Sequence, residues 1–351
     1  MAAGGAAVRA LVGLSLGAAI CYCVYKVMWR YETKKKQKVG DGRLGILSKV
    51  SGIPVKSSVQ SDAADEFENN PQSVIDLQPH HLKMLIEIVS SSSNASLREK
   101  ALVTLGNCAA FTRNVNIISN LNGIQVIGAA ISDEETDIRI SALNALNNLS
   151  LNIENQDRLK DYLHEVCETI TSAPLNSELQ FAGLRLLINM AVFYDHHKVL
   201  AEYIPFFLTL LAEGNIDTQI WTSKVLVNLS LNSSMATFLF RSKAPRTLDA
   251  LFDLATDKEL LFRLLSISAN LYASLGTSQN RDEHIYGKDS LYTLLLGDSS
   301  GLKQNLLSLL QIPQPEIQNQ VMKLILMCNS KRIKYNTTTP NRTNISEAQV
   351  I

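Results

Sequence analysis

Apolar positions recur in this chain with two superimposed periods. Within a short stretch they fall three residues apart, and the whole stretch then returns about every 40 residues. The segment ALNALNNLSLN (Ala142 to Asn152) is preceded by ALVTLGNCAAF (Ala101 to Phe111). It is followed by GLRLLINMAVF (Gly183 to Phe193), KVLVNLSLN (Lys224 to Asn232) and a weaker copy, LLSISANLYASL (Leu264 to Leu275). One asparagine per copy sets the register: Asn107, Asn148, Asn189, Asn228 and Asn270, spaced by 41, 41, 39 and 42 residues. Five before it stand Leu102, Leu143, Leu184, Ser223 and Leu265, and two before it Leu105, Leu146, Leu187, Leu226 and Ser268. One after it come Cys108, Leu149, Met190, Leu229 and Leu271. Spacing of three places these side chains on one stripe of a helix.

Eleven residues before each asparagine the chain is small or acidic: Ser96, Asp137, Glu178, Asp217 and Glu259. Acids in a first turn oppose the positive end of the helix dipole, which predicts that each copy begins near that residue. A single helix cannot hide such a stripe, so the copies must stack into a helical solenoid of the HEAT or armadillo kind. Each copy reads as the long third helix of an armadillo repeat. The expected fold is all-α, a right-handed armadillo-type solenoid of about six repeats over residues 75–330.

Breaks at Gly123, His164, Pro205 and Ala244–Pro245 fall at similar offsets and predict where the first helices of new repeats begin. Leu77 to Ser90 predicts the opening helix, Gly276 to Asp289 an inserted loop, and Gln311 to Cys328 a last loop and capping helix. The pairs His80–His81 and His196–His197 lack the spacing of a helical metal pair and read as exposed turn residues. The tail, residues 331–351, has no packing pattern and is expected to be disordered.

Before the repeats, residues 1–9 form a short N-terminal segment, and Ala10 to Trp29 is an apolar run long enough to cross a bilayer as a signal anchor. Arg9 is the one charge ahead of it, whereas Lys26, Arg30, Lys34, Lys35, Lys36 and Lys38 lie at or after its end. The positive-inside rule then places the remainder in the cytosol. A short anchor with a basic C-terminal flank matches those of the mitochondrial outer membrane; the endoplasmic reticulum and a cleaved signal peptide are the alternatives. Gly13 and Gly17 form a GxxxG step suited to self-association, beside the plainer reading of a lipid-facing helix. Cys21 and Cys23 are open to palmitoylation or are apolar filler. Residues 30–74 form the basic flank and a linker rich in Gly, Ser, Asp and Asn, with an acidic run at Asp62, Asp65, Glu66 and Glu68.

A net charge of zero gives no general affinity for nucleic acid. Five scattered cysteines without CxxC spacing suggest neither a disulfide framework nor zinc. Sequons at Asn148 and Asn228 sit inside the repeats, where a glycan has little room, while those at Asn336, Asn341 and Asn344 support the opposite, lumenal topology. No Walker A, GxSxG, HExxH or GxGxxG constellation is present, so neither an enzyme nor a cofactor is expected.

Candidate binding residues come from the face that carries the asparagines. Positions four and seven before them align on a helix, and among these are Lys100, Arg185, Trp221, Lys224 and Arg263 with no acid in the row. In armadillo solenoids this face lines a groove where the asparagines meet an extended peptide. With Asn107, Asn148, Asn189 and Asn228 the row would favour protein partners with acidic segments, against the plainer reading of a solvated basic stripe. The tryptophan that nuclear-import armadillo proteins keep four residues before the asparagine is absent, which disfavours basic cargo.

LGAAICYCVYK in the anchor, DGRLGI after the basic flank, ALVTLGNCAAF, ALNALNNLSLNIENQ and PLNSELQFAGLRLLINM together resemble one small family. It is the mitochondrially anchored armadillo group, the Alex proteins and their autosomal relative, with the closer likeness to the latter. The resemblance implies an outer-membrane adaptor acting in mitochondrial distribution and dynamics through the Miro and Trak motor-adaptor machinery. Were the anchor skipped or cleaved, it implies instead a soluble or nuclear regulator of protein complexes or transcription.

Overall fold

The computed structural model describes residues 78–275, 286–297 and 299–338, with side chains to Asn329. The candidate anchor, its basic flank, the linker and most of the inserted loop lie outside these residues. The described chain forms two compact units divided between Ile127 and Gly128. Each contains helices, and no strand is present among the described residues beyond one isolated bridge, Lys243 to Ser290.

In the first unit α1 (Pro79–Ser91) packs on α2 (Ala95–Cys108), followed by α3 (Thr112–Asn120) and the start of α4 (Gly123–Ala129). Pro79 enters α1 where its missing N–H costs nothing. Leu82, Leu85, Ile86 and Val89 fill the inward face at helical spacing. Asn94 caps α2 by accepting the Leu97 N–H. Asn122 takes the left-handed conformation, φ 58°, that the tight turn into α4 requires.

The second unit runs α5 (Thr136–Leu149), α6 (Gln156–Lys160), α7 (Leu163–Ser172), α8 (Glu178–Met190), α9 (His197–Leu200), α10 (Ile204–Glu213), α11 (Ile216–Leu231) and α12 (Ala236–Arg241). A 3₁₀ turn (Arg246–Leu251), α13 (Lys258–Leu275), α14 (Leu291–Leu296), α15 (Gly301–Leu309) and α16 (Pro315–Thr338) complete it. The long helices α5, α8, α11, α13 and α16 pack one on the next. Asp137, Glu178, Asp217 and Glu259 each stand in the first turn of their helix, as their common offset predicts. His164 and Pro205 fall at the starts of α7 and α10, Gly123 opens α4, and Pro245 precedes the 3₁₀ turn.

The apolar stripe is the core. Every member of the three stripe positions, from Leu102 to Leu271, is buried. Full burial of one leucine contributes about 1.5–3 kcal/mol, and truncating it to alanine costs about 2–5 kcal/mol once the cavity is included. Ser268, where other copies place leucine, is buried with its hydroxyl donating to the Leu264 carbonyl at 2.8 Å, beside a cavity of about 20 Å³. Gly183 lets α8 approach α7; a Cβ there would overlap the Ile170 side chain.

The third helices also end alike. Seven residues past the asparagine register, the amides of Asn114 and Asn155 donate to the carbonyls of Cys108 and Leu149 at 3.3 and 2.9 Å. His196 Nδ1 does the same to Met190 at 2.9 Å. One position later, Gln156 donates to the Ser150 carbonyl and His197 Nε2 to that of Ala191. These groups satisfy carbonyls that a helix terminus leaves without partners. The expectation of exposed turn histidines therefore fails for His196 and His197, which are buried because they cap α8; His80 is exposed. The last helix reaches Thr338, eight residues past the boundary expected at 330, since KRIKYNTT holds no proline or glycine to stop it.

His197 Nδ1 faces the Asn232 amide at 3.1 Å, so the neutral ring, with its proton on Nε2, fits both neighbours. Burial lowers its pKa, the charge of His196 adds to the effect, and the bond to Ala191 opposes it. The unfolded chain then binds more protons at this site than the folded one, and stability must fall as pH drops below about 6.5. His197→Gln, which copies Gln156, is expected to keep stability at pH 7.5 and to lose less of it at pH 5.5, read as urea midpoints. Equal losses in both proteins would contradict the capping role.

Candidate protein-binding site

The third-helix face presents the candidate residues in two groups. Lys100 and Asn107, on α2 of the first unit, are exposed. In the second unit α5, α8, α11 and α13 bring together side chains some 40 residues apart in sequence. Arg185 on α8 donates to Asn144 Oδ1 on α5 at 2.8 Å. The Asn189 amide donates to Asn147 Oδ1 and to Ser150 Oγ, each at 3.0 Å. Asn228 donates to the Ile188 carbonyl at 3.1 Å, and Asn270 to Ser230 Oγ at 3.0 Å. Asn148 is half-buried.

These bonds revise the expected role of the asparagines. The amide nitrogens of Asn189, Asn228 and Asn270 reach back to the preceding repeat and lace the stack together. A neutral bond of this kind contributes only about 0.5–1.5 kcal/mol, yet leaving such a buried amide unpaired costs about 1–3 kcal/mol. The lacing therefore fixes register more than it adds stability.

The basic row is revised as well. Trp221, Lys224 and Arg263 are brought together, but Lys224 and Arg263 are 8% and 5% exposed rather than open to solvent. Glu259, one turn before Arg263 on α13, accepts from Arg263 Nη2 at 2.7 Å and stands 3.7 Å from Lys224 Nζ. Lys224 Nζ also lies 4.1 Å from the centroid of the half-exposed Trp221 ring, a cation–π contact. Glu259 was legible as the acid of a helix first turn, and its spacing of four from Arg263 also marks a helical ion pair. Its reach to Lys224 depends on how α13 packs on α11, which no local pattern encodes.

Desolvation pushes the Lys224 ammonium down to a pKa of about 8, Arg263 adds to the fall, and Glu259 opposes it. Elsewhere, burial holds the Cys108 thiol up at about 12, which keeps it protonated and unreactive. Tyr203, Glu168 and His164 form a separate polar group, Tyr203 donating to Glu168 at 2.7 Å.

The sequence model of a family described as armadillo-like matches residues 77–296. Among solved structures, a designed armadillo repeat protein superimposes with a TM-score of 0.59 at 16% identity, over 71% of this chain and 100% of that one. A second, solved in complex with peptide (KR)4, gives a TM-score of 0.57 at 15% identity, over 71% and 99% of the two chains. An engineered protein from a structural genomics consortium gives 0.59 at 17% identity, over 83% and 69%.

The depressed Lys224 pKa has a definite sign in stability. Between pH 8 and 10.5 the unfolded chain holds a proton here that the folded chain has released, so stability rises with pH across that window. Below it, the buried ammonium costs the fold on the order of 3 kcal/mol. Lys224→Met is expected to be more stable than wild type at pH 7 by about 1–3 kcal/mol, with the gap closing by pH 10.5. Denaturant midpoints at pH 7, 8.5 and 10 measure it, and a constant gap would contradict the assigned burial.

Proposed function

The chain belongs to the armadillo-like family, and from that premise we propose that it is a non-enzymatic adaptor which binds protein partners along its third-helix face while tethered to the mitochondrial outer membrane. The observation that carries the binding role is the juxtaposition, on successive third helices, of a half-exposed tryptophan, buried cations and a laced row of amides. An extended peptide laid across the stacked third helices meets one helix per repeat, which suits modular recognition. The designed armadillo repeat protein of similar fold is solved in complex with a basic peptide, (KR)4. Here the second unit's face carries Arg185, Lys224 and Arg263 with Glu259, a net positive set, so the complementary segment is acidic.

The address rests on sequence. The apolar run from Ala10 to Trp29 and the cations from Lys26 to Lys38 support a single-pass anchor with the repeats in the cytosol. The likeness to the Alex group supports partners in the Miro and Trak motor-adaptor machinery and an influence on mitochondrial distribution. Residues 1–38 fused to a fluorescent protein are expected to reach the mitochondrial outer membrane. Changing Lys34, Lys35, Lys36 and Lys38 to glutamine is expected to divert the fusion to the endoplasmic reticulum. In the full chain, Trp221→Ala should leave location unchanged and reduce capture of Miro and Trak proteins severalfold. Unaltered targeting by the glutamine variant would remove the basic flank from the reading, and unaltered capture would move the partner surface off the third helices.

A further inference from the structure

Two buried cations here share one carboxylate. Lys224 and Arg263 are each more than nine-tenths buried, and the acid in contact with both is Glu259. Both approach the same oxygen of that acid, Oε1. The cluster therefore holds one positive charge more than its own anion balances. Arg263 Nε is in addition a buried donor with no hydrogen-bond partner. An uncompensated buried charge is among the costliest features a fold can retain, and a guanidinium fork is shaped for a second carboxylate. Trp221 and Glu259, the less buried members of the cluster, are the ones that meet solvent.

We propose that Lys224 and Arg263 form a receptor for one carboxylate of a bound acidic peptide, with Trp221 packing on the apolar side chain beside it. This inference rests on the third-helix reading above and names its ligand chemistry. A partner carboxylate would balance the second cation and supply the orphan guanidinium donor with an acceptor. Glu259 occupies part of the same cationic field and so weakens capture: it is the internal competitor that sets how acidic a segment must be. Charge-assisted bonds to a desolvated pair are strong enough to discriminate a glutamate from its neutral isostere by tenfold or more.

The test uses the full chain carrying Trp29→Phe, which leaves Trp221 as the reporter of the two tryptophans. The probes are a blocked hexapeptide of alternating glutamate and leucine, its glutamine counterpart, and inorganic phosphate. The glutamate peptide is expected to shift Trp221 emission and to bind at least tenfold more tightly than the glutamine peptide. That preference should shrink in high salt and vanish in Lys224→Met, whereas Glu259→Gln should raise affinity for the glutamate peptide severalfold. Far-UV helicity checks each variant, and Lys224→Met alone decides the matter if Glu259→Gln does not fold. Equal binding of the two peptides would overturn the receptor while leaving the third-helix reading in place. Phosphate competing as well as the glutamate peptide would overturn it in favour of an adventitious anion site. No response to either peptide would overturn it too, and would extend to the third-helix reading if Trp221→Ala also leaves partner capture unchanged.

Discussion

No third helix of this chain can hide its apolar stripe by itself, and the rest of the structure follows from that constraint. Leu143, Leu146 and Leu149 of α5 are buried where α8 packs on that helix, and α8 in turn packs on α7 and α11. Stability is then shared between neighbours, as in a one-dimensional array, and each repeat boundary has to be held in register. The boundary bonds do that. Asn189, Asn228 and Asn270 reach back across successive boundaries, and Asn176, held at φ 63°, accepts from the Asn215 N–H and the Thr218 hydroxyl of the next repeat, each at 2.8 Å.

The same constraint explains where polar side chains are buried. A third helix that ends inside a stack exposes carbonyls to protein rather than to water, so a side chain must meet them. Asn114, Asn155 and His196 occupy one such position, and Gln156 and His197 the next. Histidines can serve there because the imidazole ring offers a donor with the right reach. The exception to this economy is the α11–α13 boundary, where Lys224 and Arg263 are buried against one shared acid. Burial there is a cost to the fold, and recognition of an acidic partner is the role proposed for it.

Much of this was legible in the sequence. The period of 39–42 residues fixed the stacking, the spacing of three fixed the buried stripe, and the acids eleven before each asparagine marked the first turns of the long helices. What stayed hidden depends on groups that meet only after stacking. Asn189 and Asn147 are 42 residues apart, and nothing local says which way the Asn189 amide turns. Lys224 looked like one more cation of an open row because Glu259 reaches it from the following repeat. His196 and His197 were misread because a histidine pair suggests metal or solvent before it suggests a helix cap. Their offset of seven and eight from Asn189, matched by Asn155 and Gln156 from Asn148, was the available signal.

An adaptor needs a surface that is repetitive along its length and selective at a few points. On the proposed reading, the laced third-helix face answers the first need and the Trp221–Lys224–Arg263 cluster the second. Thr237 and Phe238, on the short helix α12 and outside the third-helix row, are exposed as well. Site-specific photo-crosslinking in the full chain, on mitochondria, tests the choice between these surfaces most directly. A photoreactive residue at Ser266, four before Asn270 on the third-helix face, is expected to capture a protein partner, while the same residue at Thr237 is expected to capture none. Capture from Thr237 with none from Ser266 would contradict the assignment of the binding face.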